Sequence, residues 1–216
     1  MAAVGLLVPI LLFGALSSLT RTLGSSGPIP VTDAGLLGGL GLELLLTATL
    51  GLWLWRSGWR PHRSATQAFG WQDPARGMVL WAGAIAAVFS WALVCRIAFP
   101  NIFTVATQTR ITGAPHVWVS LPFSIFNAMF EELLWLGLGV SAFRRLGAGR
   151  AGAVSIALRL LAHAYQGPLA LITVLPVGTL FTVYYIRTRR LWPVVVAHAF
   201  QDTLALGLLA SRSGPI

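Results

Sequence analysis

Residues 117–143 read VWVSLPFSIFNAMFEELLWLGLGVSAF. The run is long enough to cross the hydrocarbon of a bilayer, which takes about 20 apolar residues. Its only charges are two adjacent carboxylates, Glu131 and Glu132. A charge at the bilayer centre costs about 2.5–3.5 kcal/mol or more, so ionisable groups at that depth face a bundle interior or a wet cavity and mark a site. Two later apolar stretches carry the same anomaly, one with His163 and the other with His198 and Asp202. Three carboxylates and two imidazoles form a set capable of hydrolytic chemistry.

The rest of the chain fits this reading. Of 216 residues, 56% are hydrophobic and only 10% charged, with a mean hydropathy of +0.77. That composition belongs to an all-α, polytopic transmembrane helical bundle with room for about seven or eight helices. The bundle should enclose an intramembrane polar cavity. The formal charge of +9 does not indicate nucleic acid: all fifteen basic residues are Arg, and most lie in short loops, as the positive-inside rule requires. No basic face interleaved with stacking aromatics is present, so no nucleic-acid partner is expected. The single cysteine, Cys95, excludes an intrachain disulfide framework and any Cys-cluster metal site.

Apolar segments fall at about 4–20, 34–55, 77–99, 117–143, 151–166, 168–186 and 191–210, separated by helix-ending signals such as Gly27-Pro28, Asp73-Pro74 and Gly167-Pro168. Continuous apolar runs of this length are helices rather than alternating strands. The segment 4–20 reads as a retained first span, with a cleaved signal peptide as the minority alternative. Residues 1–216 read as one membrane domain, with leading spans in 1–115 and the motif-bearing helices in 116–210. The arginine-rich loops are 56–76 (Arg56, Arg60, Arg63, Arg76), 144–150 (Arg144, Arg145, Arg150) and 187–190 (Arg187, Arg189, Arg190), whereas the intervening loops hold little beyond Arg21 and Arg110. The three rich loops are expected in the cytoplasm, with the N-terminus inside and the C-terminus outside, in a prokaryotic inner membrane.

Glu131, His163, His198 and Asp202 all fall at intermediate depth, so three helices can converge on one pocket. His198 and Asp202 are four apart and share a helix face. Glu131 and Glu132 diverge by about 100°, so at most one points squarely at a common centre.

At these residues the chain resembles the CPBP intramembrane proteases, the family that includes CAAX prenyl endopeptidases and bacteriocin-processing Abi proteins. Phe130-Glu131-Glu132-Leu133-Leu134-Trp135 resembles its paired-glutamate motif, EExxxR. Leu161-Ala162-His163-Ala164-Tyr165-Gln166-Gly167 looks like its FxxxH motif, and the run from Leu191 to Asp202 looks like its last, HxxxN or HxxxD. The resemblance covers roughly 120–205, and the myxosortase branch is one placement within it. It implies an intramembrane endopeptidase in which Glu131 activates water, His163 helps to hold that water, and His198 with residue 202 faces the oxyanion. Glu132, next to the base, reads as structural rather than catalytic.

This chain departs from the family pattern in two places. The motif arginine is replaced by Leu136, and Arg159 stands where a Phe is expected four residues before His163. We expect Arg159 to supply, from another helix, the cation lost at 136, with Glu132 as its partner, because a buried Arg requires a carboxylate. Asp202 stands where many relatives carry Asn. It is either held protonated, or orients His198, or helps to bind a metal. No cofactor is required in the preferred glutamate mechanism. If a zinc is used, Glu131, His163 and His198 are the ligand set, although no HExxH pair demands one.

The bilayer and a protein or peptide substrate are the expected partners. The substrate is one with a C-terminal sorting tail, a lipid modification or a bacteriocin leader. A proton-coupled transporter is a rival reading, disfavoured because the ionisable groups crowd into the C-terminal half. A non-catalytic scaffold of the same fold is another. Taken singly, His163 or His198 is as readily an interhelical hydrogen bonder; the whole set is what points to a site. Glu43 reads either as a gate or proton-path residue or as a packing hydrogen bonder. Cys95 reads as an apolar filler, Arg96 as a snorkelling residue and Trp135 as a possible pocket wall. His62 and His116 are boundary residues with no partner in view.

Overall fold

The computed structural model describes residues 29–58, 68–108 and 111–212. The expected span 4–20, Arg21, Arg60, His62, Arg63 and Arg110 lie outside the described residues. Seven α-helices are present among the described residues: α1 (Asp33–Ser57), α2 (Asp73–Ala98), α3 (Pro100–Gln108), α4 (Val117–Glu132), α5 (Ala148–Ala162), α6 (Pro168–Thr188) and α7 (Trp192–Arg212). A π-helical stretch, Leu133–Val140, continues α4. Two-residue strands, β1 (Ile29–Pro30) and β2 (Ile111–Thr112), pair in parallel beside the starts of α1 and α4.

Local sequence sets the helix ends. The Thr32 hydroxyl accepts from the Gly35 amide at 3.1 Å and caps α1. Gly58 terminates the same helix in the left-handed region, with φ 65°. Pro74 and Pro168 sit in the first turns of α2 and α6, where a missing N–H costs nothing.

Five stretches are long and apolar enough to cross a membrane: Asp33–Ser57, Asp73–Ala98, Val117–Val140, Pro168–Thr188 and Trp192–Leu209. The protein is an integral membrane protein. The segment expected as a span at 151–166 differs. It forms the 15-residue α5 and a 3₁₀ turn, Ala164–Gln166. At about 1.5 Å per residue, α5 falls short of the roughly 30 Å hydrocarbon core. It ends at His163, whose ring nitrogen takes a carbonyl of the last turn.

Helix α7 is the centre of the bundle and packs mainly on α4 and α2. Helix α6 lies against α2 and α5, and α1 packs against α4. The principal core gathers Leu80 and Ala84 of α2, Ala128 of α4, Phe181 and Tyr185 of α6, and Val194 and Ala197 of α7. Phe89, Ile97 and Val79 on α2 are exposed, as a lipid-facing surface demands. Helices α2 and α7 approach closely at Gly77, where an added Cβ would fall 2.6 Å from Val196 Cγ1 and 2.9 Å from the Pro193 carbonyl oxygen.

Two polar clips fasten helix ends. Arg190, just before α7, grips Asp73 at the start of α2 through Nε–Oδ1 (3.0 Å) and Nη2–Oδ2 (2.9 Å). The Gly70 amide adds a 2.7 Å bond to the same carboxylate. The Asp73 hydrogen bond raises the guanidinium of Arg190 above its ordinary pKa. This pair holds the start of α2 and the 187–190 segment at one end of the bundle. At α1, Asp33 accepts from the His116 amide (2.8 Å) and meets His116 Nδ1 at 2.5 Å. His116 therefore has a partner, contrary to the sequence reading. Its partner lies 83 positions away, at the other clipped helix start.

The tight contact at Gly77 sets a packing prediction. Gly77→Ala lowers the thermal midpoint in detergent, because a backbone oxygen cannot yield to the new methyl. Gly83→Ala, whose Cβ would meet Leu180 at an ordinary 3.6 Å, leaves it nearly unchanged. Scanning calorimetry or a thermal-shift assay of both variants checks this.

Candidate active site

The two glutamates occupy different stripes of α4. Ser120, Ser124, Ala128 and Glu132 recur at intervals of four and are all buried, so Glu132 ends a packed seam. Asn127, Glu131 and Trp135 form the adjacent stripe, rotated by about 100°. Glu131 lines a cavity of about 150 Å³, together with His163, Arg159, His198 and Asp202. These groups come from α4, the end of α5 and α7. Glu132 lies behind the cavity wall, fully buried.

Glu132 is engaged twice. Its Oε2 lies 2.6 Å from Arg159 Nη2, an ion pair whose N–H direction does not align as a hydrogen bond. Its Oε1 lies 2.7 Å from His198 Nδ1. The cation opposite Glu132 comes from α5, while Leu136 is fully buried in the apolar core. Arg159 reaches this position past Gly178 of α6, where a Cβ would stand 3.2 Å from the Arg159 Cδ.

The Arg159 backbone acts at the same place. Its carbonyl accepts from the His163 amide at 3.1 Å and faces His163 Nδ1 at 2.9 Å. A carbonyl has no proton to give, so Nδ1 carries the hydrogen and donates. A neutral His163 then presents the lone pair of Nε2. That atom is 3.7 Å from Glu131 Oε1, beyond direct hydrogen-bonding distance. The other Glu131 oxygen, Oε2, accepts from Trp135 Nε1 at 3.3 Å. Trp135 is buried in a second apolar cluster with Leu134 and Leu138 and supports the acid from the next turn.

His198 lies between two carboxylates, with Glu132 at Nδ1 and Asp202 Oδ2 3.5 Å from Nε2. Asp202 also accepts from Asn127 Nδ2 at 2.9 Å. The nearer carboxylate, which fixes the ring, is Glu132 rather than Asp202. Asn127, Gln166 and Gln201 were not found in the sequence reading, yet Asn127 holds Asp202 and the two glutamines line the cavity. The spacing of Asn127 one turn before Glu131 was the available signal.

Glu131, His163 and His198, the candidate zinc set, all line the cavity. Among the described residues, no group of three or more His, Cys, Asp or Glu side chains is arranged to hold a metal ion. Both imidazoles commit Nδ1 to protein acceptors, which turns Nε2 of each toward the cavity, an orientation that suits a water molecule or a metal ion alike.

Removing one charge of the buried pair tests its weight. Arg159→Leu strands Glu132 in the packed seam and destabilises the protein by about 3–5 kcal/mol. Arg159→Leu combined with Glu132→Leu recovers most of that loss. Equilibrium unfolding in mixed micelles reads both; an Arg159→Leu variant as stable as wild type would refute the pairing.

No curated protein and no solved structure matches the chain. A family model, Type II CAAX prenyl endopeptidase Rce1-like, matches residues 113–204. The match takes in α4, α5, α6 and the cavity-lining part of α7, and leaves α1, α2 and α3 outside it. Over that stretch the chain is similar to the Rce1-like type II CAAX prenyl endopeptidase family, in keeping with the CPBP membrane proteases that its three motifs resemble.

Proposed function

We propose that the protein is an intramembrane endopeptidase that hydrolyses a peptide bond in a membrane-associated protein or peptide, with Glu131 as the base that activates water. One observation carries this reading. Glu131 Oε1 and His163 Nε2 stand 3.7 Å apart on the wall of a polar cavity, and each is held from behind by its own partner. Two acceptors at that spacing can each take one hydrogen of a single water molecule, whose lone pair is then turned toward a substrate carbonyl.

The chemistry follows. Water oxygen attacks the carbonyl carbon and Glu131 takes its proton. The carbonyl becomes a tetrahedral oxyanion, which His198 stabilises as an imidazolium, donating Nε2–H to the oxyanion while Nδ1–H donates to Glu132. Donors so placed contribute about 3 kcal/mol to transition-state binding. Glu131 then returns the proton to the departing nitrogen as the C–N bond breaks, leaving a carboxylate product and an amine. Asp202, fixed by Asn127, holds the cavity side of His198. Arg159 and Glu132 position His198 and, through the Arg159 carbonyl, His163. No step requires a metal.

The substrate belongs to the class acted on near a membrane. Prenylated CAAX tails, C-terminal sorting tails and leader peptides all fit this chemistry. The arginine-rich end of the bundle, held by Asp73 and Arg190, supports a cytoplasmic position for the 56–76 and 187–190 loops.

Fluorogenic peptides of these three kinds, assayed with the protein in lipid nanodiscs, test the reading. Glu131→Ala and His163→Ala each lower turnover about 100-fold or more, while a strong chelator leaves the wild type unchanged. Unaltered turnover in both variants would end the proposal; loss of activity on chelation, restored by zinc, would replace its mechanism.

A further inference from the structure

Helix α1 lies outside the matched family region and packs against α4, with most of its surface facing outward. On such a helix a carboxyl is costly unless it is used. Glu43 nevertheless lies in its middle, and Glu43 Oε2 is buried with no hydrogen-bond partner among the described residues. Its electrostatic neighbours are Glu131, Asp202 and His198, all three of which line the cavity.

A second observation is independent of the first. Thr49, Thr104, Thr173 and Thr188 each donate their hydroxyl to the carbonyl four residues back, the usual way for a helical threonine to satisfy itself. Thr47 Oγ1 is buried and makes no such bond. Thr47 follows Glu43 by four residues, so the two unpartnered oxygens share one face of α1. Gln201 Oε1, from the cavity wall on α7, is likewise buried without a partner.

These oxygens match an extended peptide. Residues one helical turn apart are separated by about 6 Å along the axis. An extended strand presents N–H groups on one edge every second residue, about 6.6–6.8 Å apart. We propose that Glu43 and Thr47 form the substrate-side wall of the site, accepting hydrogen bonds from main-chain N–H groups of an extended substrate segment that runs along α1 toward Glu131. The inference deepens the peptidase reading and rests on it for the identity of the occupant. Glu43 is here a positioning residue, because it acts on the substrate backbone and takes no part in bond cleavage. It sets how the chain lies, and main-chain recognition makes it tolerant of substrate side chains.

The test uses the full chain in nanodiscs and the fluorogenic peptide that wild type cleaves best. Glu43→Leu makes α1 more apolar and keeps it inserted. It raises KM about tenfold or more with little change in kcat. Glu43→Gln keeps an acceptor and recovers much of that loss, and Thr47→Val has a smaller effect in the same direction. Unchanged KM in Glu43→Leu, or a fall in kcat alone, overturns the proposal. A separate readout does not depend on turnover: a benzophenone-bearing copy of the peptide is photo-crosslinked to the Glu131→Ala protein and the adduct mapped by mass spectrometry. Adducts on α1 that vanish with Glu43→Leu support the wall even where cleavage fails, so the two readings fail separately. Adducts elsewhere, or insensitive to Glu43→Leu, refute it.

Discussion

Arg159, Glu132 and His198 form a continuous chain of charge and hydrogen bonding from α5 through α4 to α7, and the site is organised around it. Glu132 lies 2.6 Å from Arg159 and 2.7 Å from His198 in a seam otherwise made of Ser120, Ser124 and Ala128. Bringing an ion pair into such a place is expensive, and a pair of well-packed apolar residues can serve stability equally well. What the apolar substitute cannot do is fix an imidazole. Glu132 orients the His198 ring, and Arg159 makes an ionised Glu132 tolerable. Stability and chemistry are joined here because one carboxylate serves both.

Arg159 contributes twice, with different atoms. Its guanidinium faces Glu132 and its carbonyl receives both the amide and the ring nitrogen of His163. The Arg159 carbonyl keeps its ladder bond to the His163 amide and uses its second lone pair for the ring Nδ1. The last turn of α5 thus fixes the His163 tautomer without giving up a backbone bond. The π-helical stretch after Glu132 acts similarly on the other side, and the Trp135 carbonyl within it accepts from Ser155 of α5 at 2.6 Å. Such stretches are frequent at functional sites because they shift one helix face relative to the preceding turn.

Much of this was legible in the sequence for a single physical reason. Ionisable groups are costly in an apolar run, so Glu131, Glu132, His163, His198 and Asp202 stood out without any structural knowledge. The exchange of an arginine between positions 136 and 159 pointed to the Glu132 partnership on the same grounds. Neutral polar groups carry a smaller penalty that a single hydrogen bond relieves, and the roles of Asn127, Gln166 and Gln201 passed unnoticed. The Asp33–His116 and Asp73–Arg190 clips were hidden for the opposite reason: charges near helix ends are ordinary. The length of α5 was misread because its hydropathy resembles that of a span, while its end is set by a side-chain capping bond that no periodicity reveals.

The remaining constraint is one of size. A cavity of about 150 Å³ is smaller than the roughly 300–1,000 Å³ of pockets that enclose small molecules. At about 30 Å³ per water molecule in the liquid, it holds a small water cluster or a single amide group. Under the proposed peptidase reading a substrate chain cannot be enclosed there, so it lies outside and offers one peptide bond inward. The elements around the acids differ in how firmly they are held. Helices α4, α5 and α7 are tied together by the buried charge chain, and α2 is clipped to the start of α7. Helix α1 rests on α4 and the Asp33–His116 contact. For the proposed intramembrane hydrolase, rigid side chains at the cavity with a lightly held helix beside them separate two demands. Reacting atoms must stay fixed to within a fraction of an ångström, while the wall facing lipid must let a chain pass.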